Sequence, residues 1–304
     1  MSGLQIAGVA AVCGVLAACP YLVALVSPPG SLILIYLAQL PLFVAGLWLG
    51  VGASLLAGLA ASLSLLAATN PMTAATFAGL NAVPVALLVR EALLARTDNG
   101  DAVQWYPAGL LTAWLTGFGL AAIAAALLVF GGLEGVQAAG GAALVSALDR
   151  SGEAFPERDE LIALLAYILP GIVVSSWMVM TATNGCLAQG LLLRFRANWR
   201  PSPDLATLSL PAWLPVLLAA AAAATLLGET ARFVGINVMI VLTMPFLLAG
   251  LAVLHMWARR FPRPAVPLVA FYVLAGVFGW PLLLVAVLGL LDASLGLRRR
   301  FAQL

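Results

Sequence analysis

Long apolar runs alternate with short polar segments along the whole chain, and this pattern predicts a bundle of membrane-spanning helices. An α-helix needs about 20 consecutive apolar residues to cross the hydrocarbon core of a bilayer. Eight runs close to that length precede residue 260: Leu4–Val26, Leu32–Leu49, Val51–Ala68, Met72–Leu94, Tyr106–Phe130, Leu161–Leu193, Ala212–Gly228 and Phe233–Trp257.

A further apolar run begins at Ala265 and ends just before Arg298, and it can cross the membrane once or twice. As one helix it would be about 50 Å long, against a hydrocarbon core of roughly 30 Å. The tripeptide at Gly279–Pro281 suits a turn, because glycine ends helices and proline fits the first helical position. Each half is slightly short for a full span. We expect a hairpin, and hence an all-α polytopic membrane protein of eight to ten helices, with ten as the preferred number.

The composition supports a membrane protein and excludes some other classes. Hydrophobic residues make up 63% of the chain and charged residues only 9%, whereas soluble domains carry about 25% charged residues. The lipid bilayer is therefore the expected environment. No exposed basic segment with interleaved aromatic residues is visible, so we expect no nucleic-acid partner.

Charge along the chain predicts the orientation of the protein. The polar segment 131–160 is rich in aspartate and glutamate, whereas most arginines fall in loops that would share the opposite side. Because arginine accumulates in cytoplasmic loops, we expect segment 131–160 outside. Both termini are then cytoplasmic, in the inner (cytoplasmic) membrane of a bacterium.

Polar side chains inside the predicted spans are the candidate functional residues. Each amide either forms a hydrogen bond between helices or lines a ligand site; the candidates are Gln39, Asn81, Asn184, Gln189 and Asn237.

The ionisable candidates lie near the cytoplasmic ends of the last helices. If the final run is a hairpin, Asp292 lies at a depth similar to that of His255, and we expect it to approach either His255 or Arg259. This polar pair would tie two helices together or act as a proton acceptor, since a neighbouring carboxylate raises the pKa of a histidine.

Motifs for catalysis are absent from the sequence. It contains no HExxH, GxSxG, Walker A or GxGxxG pattern and a single histidine. We therefore expect no catalytic residues, metal site or cofactor, and we do not expect an enzyme. If ATP drives transport, another chain must bind it.

Two segments carry a resemblance to known families. The stretches NVMIVLTMPFLLAGLAVLHMWARR, residues 237–260, and LLDASLGLRRR, residues 290–300, resemble the YybS-like family of bacterial polytopic membrane proteins. The stretch LAQLPLFVAGLWLGVGASLLAGLAASL, residues 37–63, looks like the second and third helices of the substrate-capture (S) components of energy-coupling-factor transporters. Ala7 and Ala11 fit the Ala-xxx-Ala patch with which S components dock a coupling subunit.

The resemblance implies a division of the chain and a set of partners. Residues 1–200 would form a six-helix core like an S component, with the external loop 131–160, and residues 201–304 would add four helices. The implied function is a small-molecule-binding or permease-like transport subunit without its own ATPase, working with a coupling subunit and ATPases. The alternative, suggested by the acidic external loop, is a non-transporting envelope scaffold or assembly protein.

Overall fold

The computed structural model describes residues 1–26, 33–98, 102–151, 157–204, 208–296 and 298, and most of them are helical. The elements, in chain order, are α1 (Gly3–Val26), α2 (Leu40–Leu49), α3 (Val51–Ala68), α4 (Pro71–Phe77), a π-helix (Ala78–Ala82), α5 (Val83–Ala92), β1 (Ala95–Asp98), β2 (Ala102–Trp105), α6 (Ala108–Val129), α7 (Leu133–Ser151), α8 (Arg158–Arg194), α9 (Trp213–Ala224), α10 (Glu229–Ala258), α11 (Ala265–Phe278) and α12 (Pro281–Leu295).

Within the described residues, six helices are long and apolar enough to cross a membrane: Gly3–Leu25, Val51–Ala68, Pro71–Ala92, Ala108–Val129, Arg158–Arg194 and Glu229–Ala258. Two other predicted spans are shorter apolar helices, Ile33–Leu49 and Trp213–Ala224. The predicted helical, polytopic class is confirmed, whereas the number of ten spans stays a prediction.

The predicted break in the final apolar run is confirmed. The chain bends by 120° between α11 and α12. Gly279 adopts a left-handed φ of 69°, and Pro281 occupies the first turn of α12. The two helices have 14 and 15 residues, or about 21 and 23 Å at the α-helical rise. Each is therefore shorter than the roughly 30 Å hydrocarbon core.

Two polar segments contain structure that the hydrophobic pattern did not predict. The charged loop after α5 forms an antiparallel hairpin of β1 and β2, in which Ala95 pairs with Trp105. The all-α expectation misses this hairpin, because it rested on apolar runs alone. The polar segment 131–160 contains α7, a helix of 19 residues. Residues 152–156 of the same segment lie outside the described part.

The chain divides into two compact units. The first comprises Met1–Leu111 and Val179–Pro203. Within it, α1 packs closely on α3, because Gly14 has no side chain and lies against the backbone at Ala57 and Ala61. Gly46 of α2 likewise lets Val89 and Ser54 approach, and a Cβ at that position would lie 2.8 and 2.9 Å from their side chains.

The second unit comprises Thr112–Met178 and Asp204–Leu304. Its core includes a cluster drawn from α9, α10 and α12: Leu214, Ala221, Leu242, Phe246 and Ala286. The contact between α10 and α12 is made by Gly250 and Gly289, where an added Cβ would collide with backbone atoms of Val285 and Phe246. Small residues of this kind let membrane helices approach closely.

The predicted division of the chain into residues 1–200 and 201–304 rests on resemblance to S components, not on packing. The two compact units do not test it, and it stays a prediction.

Candidate functional site

A break in the helix Ile33–Leu49 releases the carbonyl oxygen of Tyr36 from its regular helical hydrogen bond, inside the first unit. The N–H of Leu40, which in a regular α-helix would bond to Tyr36 O, donates to Leu37 O at 3.0 Å. Tyr36 O accepts a hydrogen bond of 2.6 Å from Asn184 Nδ2 in α8. Short stretches of such tight turns within a helix often mark hinges or functional positions.

A second irregularity faces this break. The π-helix Ala78–Ala82 interrupts the run from Pro71 to Ala92 and contains Asn81, which is 3% exposed. Asn81 Oδ1 accepts a hydrogen bond of 3.0 Å from Gln39 Nε2, and Asn81 Nδ2 donates to the hydroxyl of Tyr21 at 3.1 Å. π-helical turns are rare and frequently occur at functional sites.

These contacts bring together residues from four parts of the first unit, which we call the amide cluster: Tyr21, Gln39, Asn81 and Asn184. Of the five predicted amides, Gln39 and Asn81 contact each other directly, and Asn184 contacts the backbone at Tyr36, three residues before Gln39. The sequence did not identify Tyr21, since a tyrosine in an apolar run gives no signal of its own. The one unusual feature of the sequence around Tyr21 is Pro20 directly before it, a proline inside α1.

Two oxygens of the amide cluster accept no hydrogen bond from the part of the chain that the structure describes. Gln39 and Asn184 are 0% and 1% exposed, and Gln39 Oε1 and Asn184 Oδ1 accept no hydrogen bond from the described residues. The amide of Asn184 cannot be turned round without loss, because Nδ2 donates to two carbonyls, Tyr36 O at 2.6 Å and Met180 O at 2.7 Å. A buried acceptor without a donor costs about 1–3 kcal/mol.

Gln189, the fourth predicted amide, belongs to a different structure around Arg200. Its Nε2 donates to the carbonyl oxygen of Arg200 at 2.6 Å. The guanidinium of Arg200 donates to Ala92 O, at the end of α5, and to Tyr106 O, at 2.9 and 2.7 Å. Burial lowers the pKa of Arg200 below its ordinary value. Through these hydrogen bonds Arg200 connects its polar loop to the end of α5 and to the residue after β2. The sequence indicated only that Arg200 belongs to a charged loop.

Asn237, the fifth amide, has all of its hydrogen-bonding groups occupied within the second unit. Its Oδ1 accepts from Gly171 N at 2.7 Å, and its Nδ2 donates to Tyr167 O and Phe233 O at 3.0 and 2.9 Å. Tyr167 and Gly171 are one turn apart in α8 and flank Pro170, which has no N–H. The amide thus bridges the backbone at a proline, which is a structural role.

The polar pair expected among His255, Arg259 and Asp292 takes a different form. Asp292 is 5% exposed and pairs with Arg298, whose backbone N–H and Nε donate to the carboxylate at 2.9 and 2.7 Å. Arg298 also donates to Leu208 O. The prediction was wrong about the partner, because the chain turns back at Gly296, with φ of 64°, and brings Arg298 onto the end of α12. Arg299 and Arg300 lie outside the described residues.

His255 and Arg259, the other two residues of that expected interaction, have partners other than Asp292. Nδ1 of His255 lies 2.8 Å from Leu251 O, one turn back in α10. Arg259 forms a solvent-exposed ion pair with Asp204 at 3.4 Å. The amide cluster is therefore the stronger candidate for a functional site than these residues.

Comparison with known proteins gives one match. A family model described as "Predicted membrane protein (DUF2232)" matches residues 15–293. No curated protein matches the chain. No solved structure matches it.

Proposed function

Since the chain belongs to the family of predicted membrane proteins DUF2232, we propose that it is a solute-binding, permease-like transport subunit whose binding site is the amide cluster. It has no ATPase of its own and performs no catalysis. Under this proposal ATP is hydrolysed by partner chains, which a membrane coupling subunit connects to this protein.

The unfilled hydrogen-bonding capacity of the amide cluster is the observation that carries the proposal. An amide with a purely structural role has both its oxygen and its NH2 group hydrogen-bonded, as Asn237 has with backbone groups of Gly171 and Tyr167. Gln39 and Asn184 instead each keep a buried oxygen for which the described residues supply no donor. Irregular backbone and polar groups at membrane depth are tolerated where they line a cavity or a binding site, and the break at Tyr36 and the π-helix supply that irregular backbone.

The orientation and the number of spans form part of the same proposal. The protein lies in the cytoplasmic membrane of a bacterium with its N-terminus inside, and α7 lies outside. The short helices Ile33–Leu49 and Trp213–Ala224 and the helix α12 complete a nine-helix arrangement, in which α11 joins the adjacent ends of the antiparallel helices α10 and α12.

Extraction of bound solute tests the function. The wild-type protein is purified from membranes in a mild detergent, and small molecules released by denaturation are compared with those from Asn81→Leu and Gln189→Leu. A solute enriched with wild type and Gln189→Leu but lost with Asn81→Leu supports the proposal. If no solute is enriched and neither an ATPase nor a coupling subunit copurifies, the proposal fails.

A scaffold is the second candidate, favoured by the acidic surface around α7. Glu134, Asp149, Glu157, Asp159 and Glu160 are all exposed, and Asp149 pairs with Arg158 at the start of α8. As a scaffold the protein would hold a basic protein partner there. Replacing the five carboxylates by amides should release that partner, and unchanged copurification would count against this role.

A further inference from the structure

The balance of donors and acceptors in the amide cluster indicates the charge of what binds there. The side-chain NH2 groups of Gln39, Asn81 and Asn184 all donate to protein oxygens. Gln39 Oε1 and Asn184 Oδ1 accept nothing from the described residues. The hydroxyl of Tyr21 accepts from Asn81 and keeps a proton of its own. An anion would therefore meet two negatively polarised oxygens, against two remaining donors, the Tyr21 hydroxyl and the second N–H of Asn81, whereas a cation would meet two oxygens that accept nothing from the described residues.

The absence of carboxylates from the cluster selects a single positive charge. Calcium sites use several carboxylates, and magnesium is bound through carboxylates and water. Neutral oxygens are the ligands that membrane proteins present to dehydrated monovalent ions. All members of the amide cluster are neutral, so the second charge of a divalent ion would remain uncompensated in a medium where that costs most.

The burial of the two oxygens favours a compact ion over an organic ammonium group. Gln39 and Asn184 are 0% and 1% exposed, and their unpaired oxygens are shielded from water. A dehydrated sodium ion is smaller than a water molecule, whereas an ammonium group brings a carbon chain.

We infer that the amide cluster binds a sodium ion, with Gln39 Oε1 and Asn184 Oδ1 as ligands. The inference deepens the proposed function, since it rests on the same cluster and adds a sodium ion to the proposed solute site. It has its own readout, because an ion that binds the folded state raises the unfolding temperature in a saturable manner.

The test uses the full-length protein in detergent. Thermal unfolding is followed while sodium chloride replaces choline chloride at constant ionic strength, with a parallel series in potassium chloride. We expect a saturable rise of the unfolding temperature with sodium and a much smaller one with potassium. Equal responses to the two salts, or no response to sodium, would overturn the inference.

Variants locate the ion. Gln39→Leu and Asn184→Leu should raise the half-saturating sodium concentration by about tenfold or more, whereas Gln189→Leu, which removes an amide from α8 outside the cluster, should leave it unchanged. A full sodium response in both cluster variants would place the ion elsewhere and refute the assignment. If the leucine variants do not fold, Asn184→Asp decides, since its carboxylate should lower the half-saturating concentration; an unchanged value contradicts the inference.

The outcomes separate this inference from the proposed function. A sodium response that is lost in the cluster variants, without any bound solute or transport partner, supports the ion site and removes the transport role. A bound solute without a sodium response supports the transport role and removes the ion site.

Discussion

Asp292 and Arg298 form a buried ion pair that closes the end of α12, with 3% and 11% of their side chains exposed. Removing one partner of a buried pair leaves an uncompensated charge and costs about 3–5 kcal/mol. We expect Arg298→Met to lower the free energy of unfolding by an amount of this order, measured by chemical unfolding in detergent. Asp292→Asn should cost less, because a neutral amide can still accept from Arg298.

The exposed pair of Asp204 and Arg259 is the matched control. Its side chains are 51% and 61% exposed, and pairs of this kind contribute less than about 1 kcal/mol. Asp204→Asn should therefore have little effect. Equal losses at the two pairs would contradict the role given to the burial of Asp292.

The amide of Asn237 should be essential for the stability of the second unit. Asn237→Leu leaves Gly171 N and Tyr167 O without their side-chain partner, and each unpaired buried group costs about 1–3 kcal/mol. We expect a large fall in the unfolding temperature. Thr243→Val in the same helix is the control, because the one hydrogen bond of the Thr243 hydroxyl within the described residues goes to Met239 O, one turn back. A mild effect of Asn237→Leu would show that the backbone at Pro170 closes without it.

Because α10 and α12 are in close contact, the effect of a glycine-to-alanine substitution on stability should depend strongly on its position. Gly250→Ala and Gly289→Ala would push a methyl group into the backbone of the facing helix, and overpacking costs about 1–3 kcal/mol or more. Gly276→Ala in α11 meets nothing within 4 Å and should be neutral or slightly stabilising. The three variants are compared by thermal unfolding, and equal stabilities would refute the tight contact.

The antiparallel contact of α10 and α12 predicts that the two ends of the α11–α12 segment lie on opposite sides of the membrane, because Gly250 faces Val285 and Gly289 faces Phe246. Single cysteines at Pro262 and Leu295 should react with a membrane-impermeant maleimide from opposite sides. Labelling from the same side would contradict this arrangement and indicate two crossings. The experiment needs a background in which the native cysteines are replaced: Cys13, Cys19 and Cys186.

The charge asymmetry predicts that α7 and the loop before α9 lie on opposite sides. In the same background, Ser146→Cys in α7 should be labelled in intact cells, and Ser202→Cys only after the membrane is opened. Gly152, in the same polar segment, lies outside the described residues, so Ser146 is the better probe. Labelling of both positions in intact cells would reverse the orientation argument.

Prediction from sequence succeeded where one simple physical requirement dominates. Apolar run length identified the long helices, and the glycine and proline at 279–281 identified the break in the final apolar run. Prediction failed in the polar segments, where hydrogen bonding rather than apolar run length decides whether a strand or a helix forms. Asp98-Asn99-Gly100 is a turn signal of the kind found between paired strands, and apolar run length takes no account of it; residues 99–101 lie outside the described part.

The functional residues were predicted as candidates but not as a group. The sequence distinguishes Gln39, Asn81 and Asn184 from their apolar neighbours, yet Gln189 and Asn237 stand out equally. Only the pairing pattern separates them, because Asn237 is fully bonded and Asn184 is not. The partner of Asp292 could not be predicted either, since a left-handed residue at Gly296 decides where Arg298 returns.

The contact between Gly250 and Gly289 also has a consequence for biosynthesis. The ribosome makes α10 before α12, so α10 enters the membrane while the helix that will cover Gly250 is still being synthesised. During that interval lipid tails must cover a narrow glycine groove, which they fill poorly. The insertion machinery therefore either retains α10 until α12 emerges or releases a helix whose final neighbour arrives afterwards.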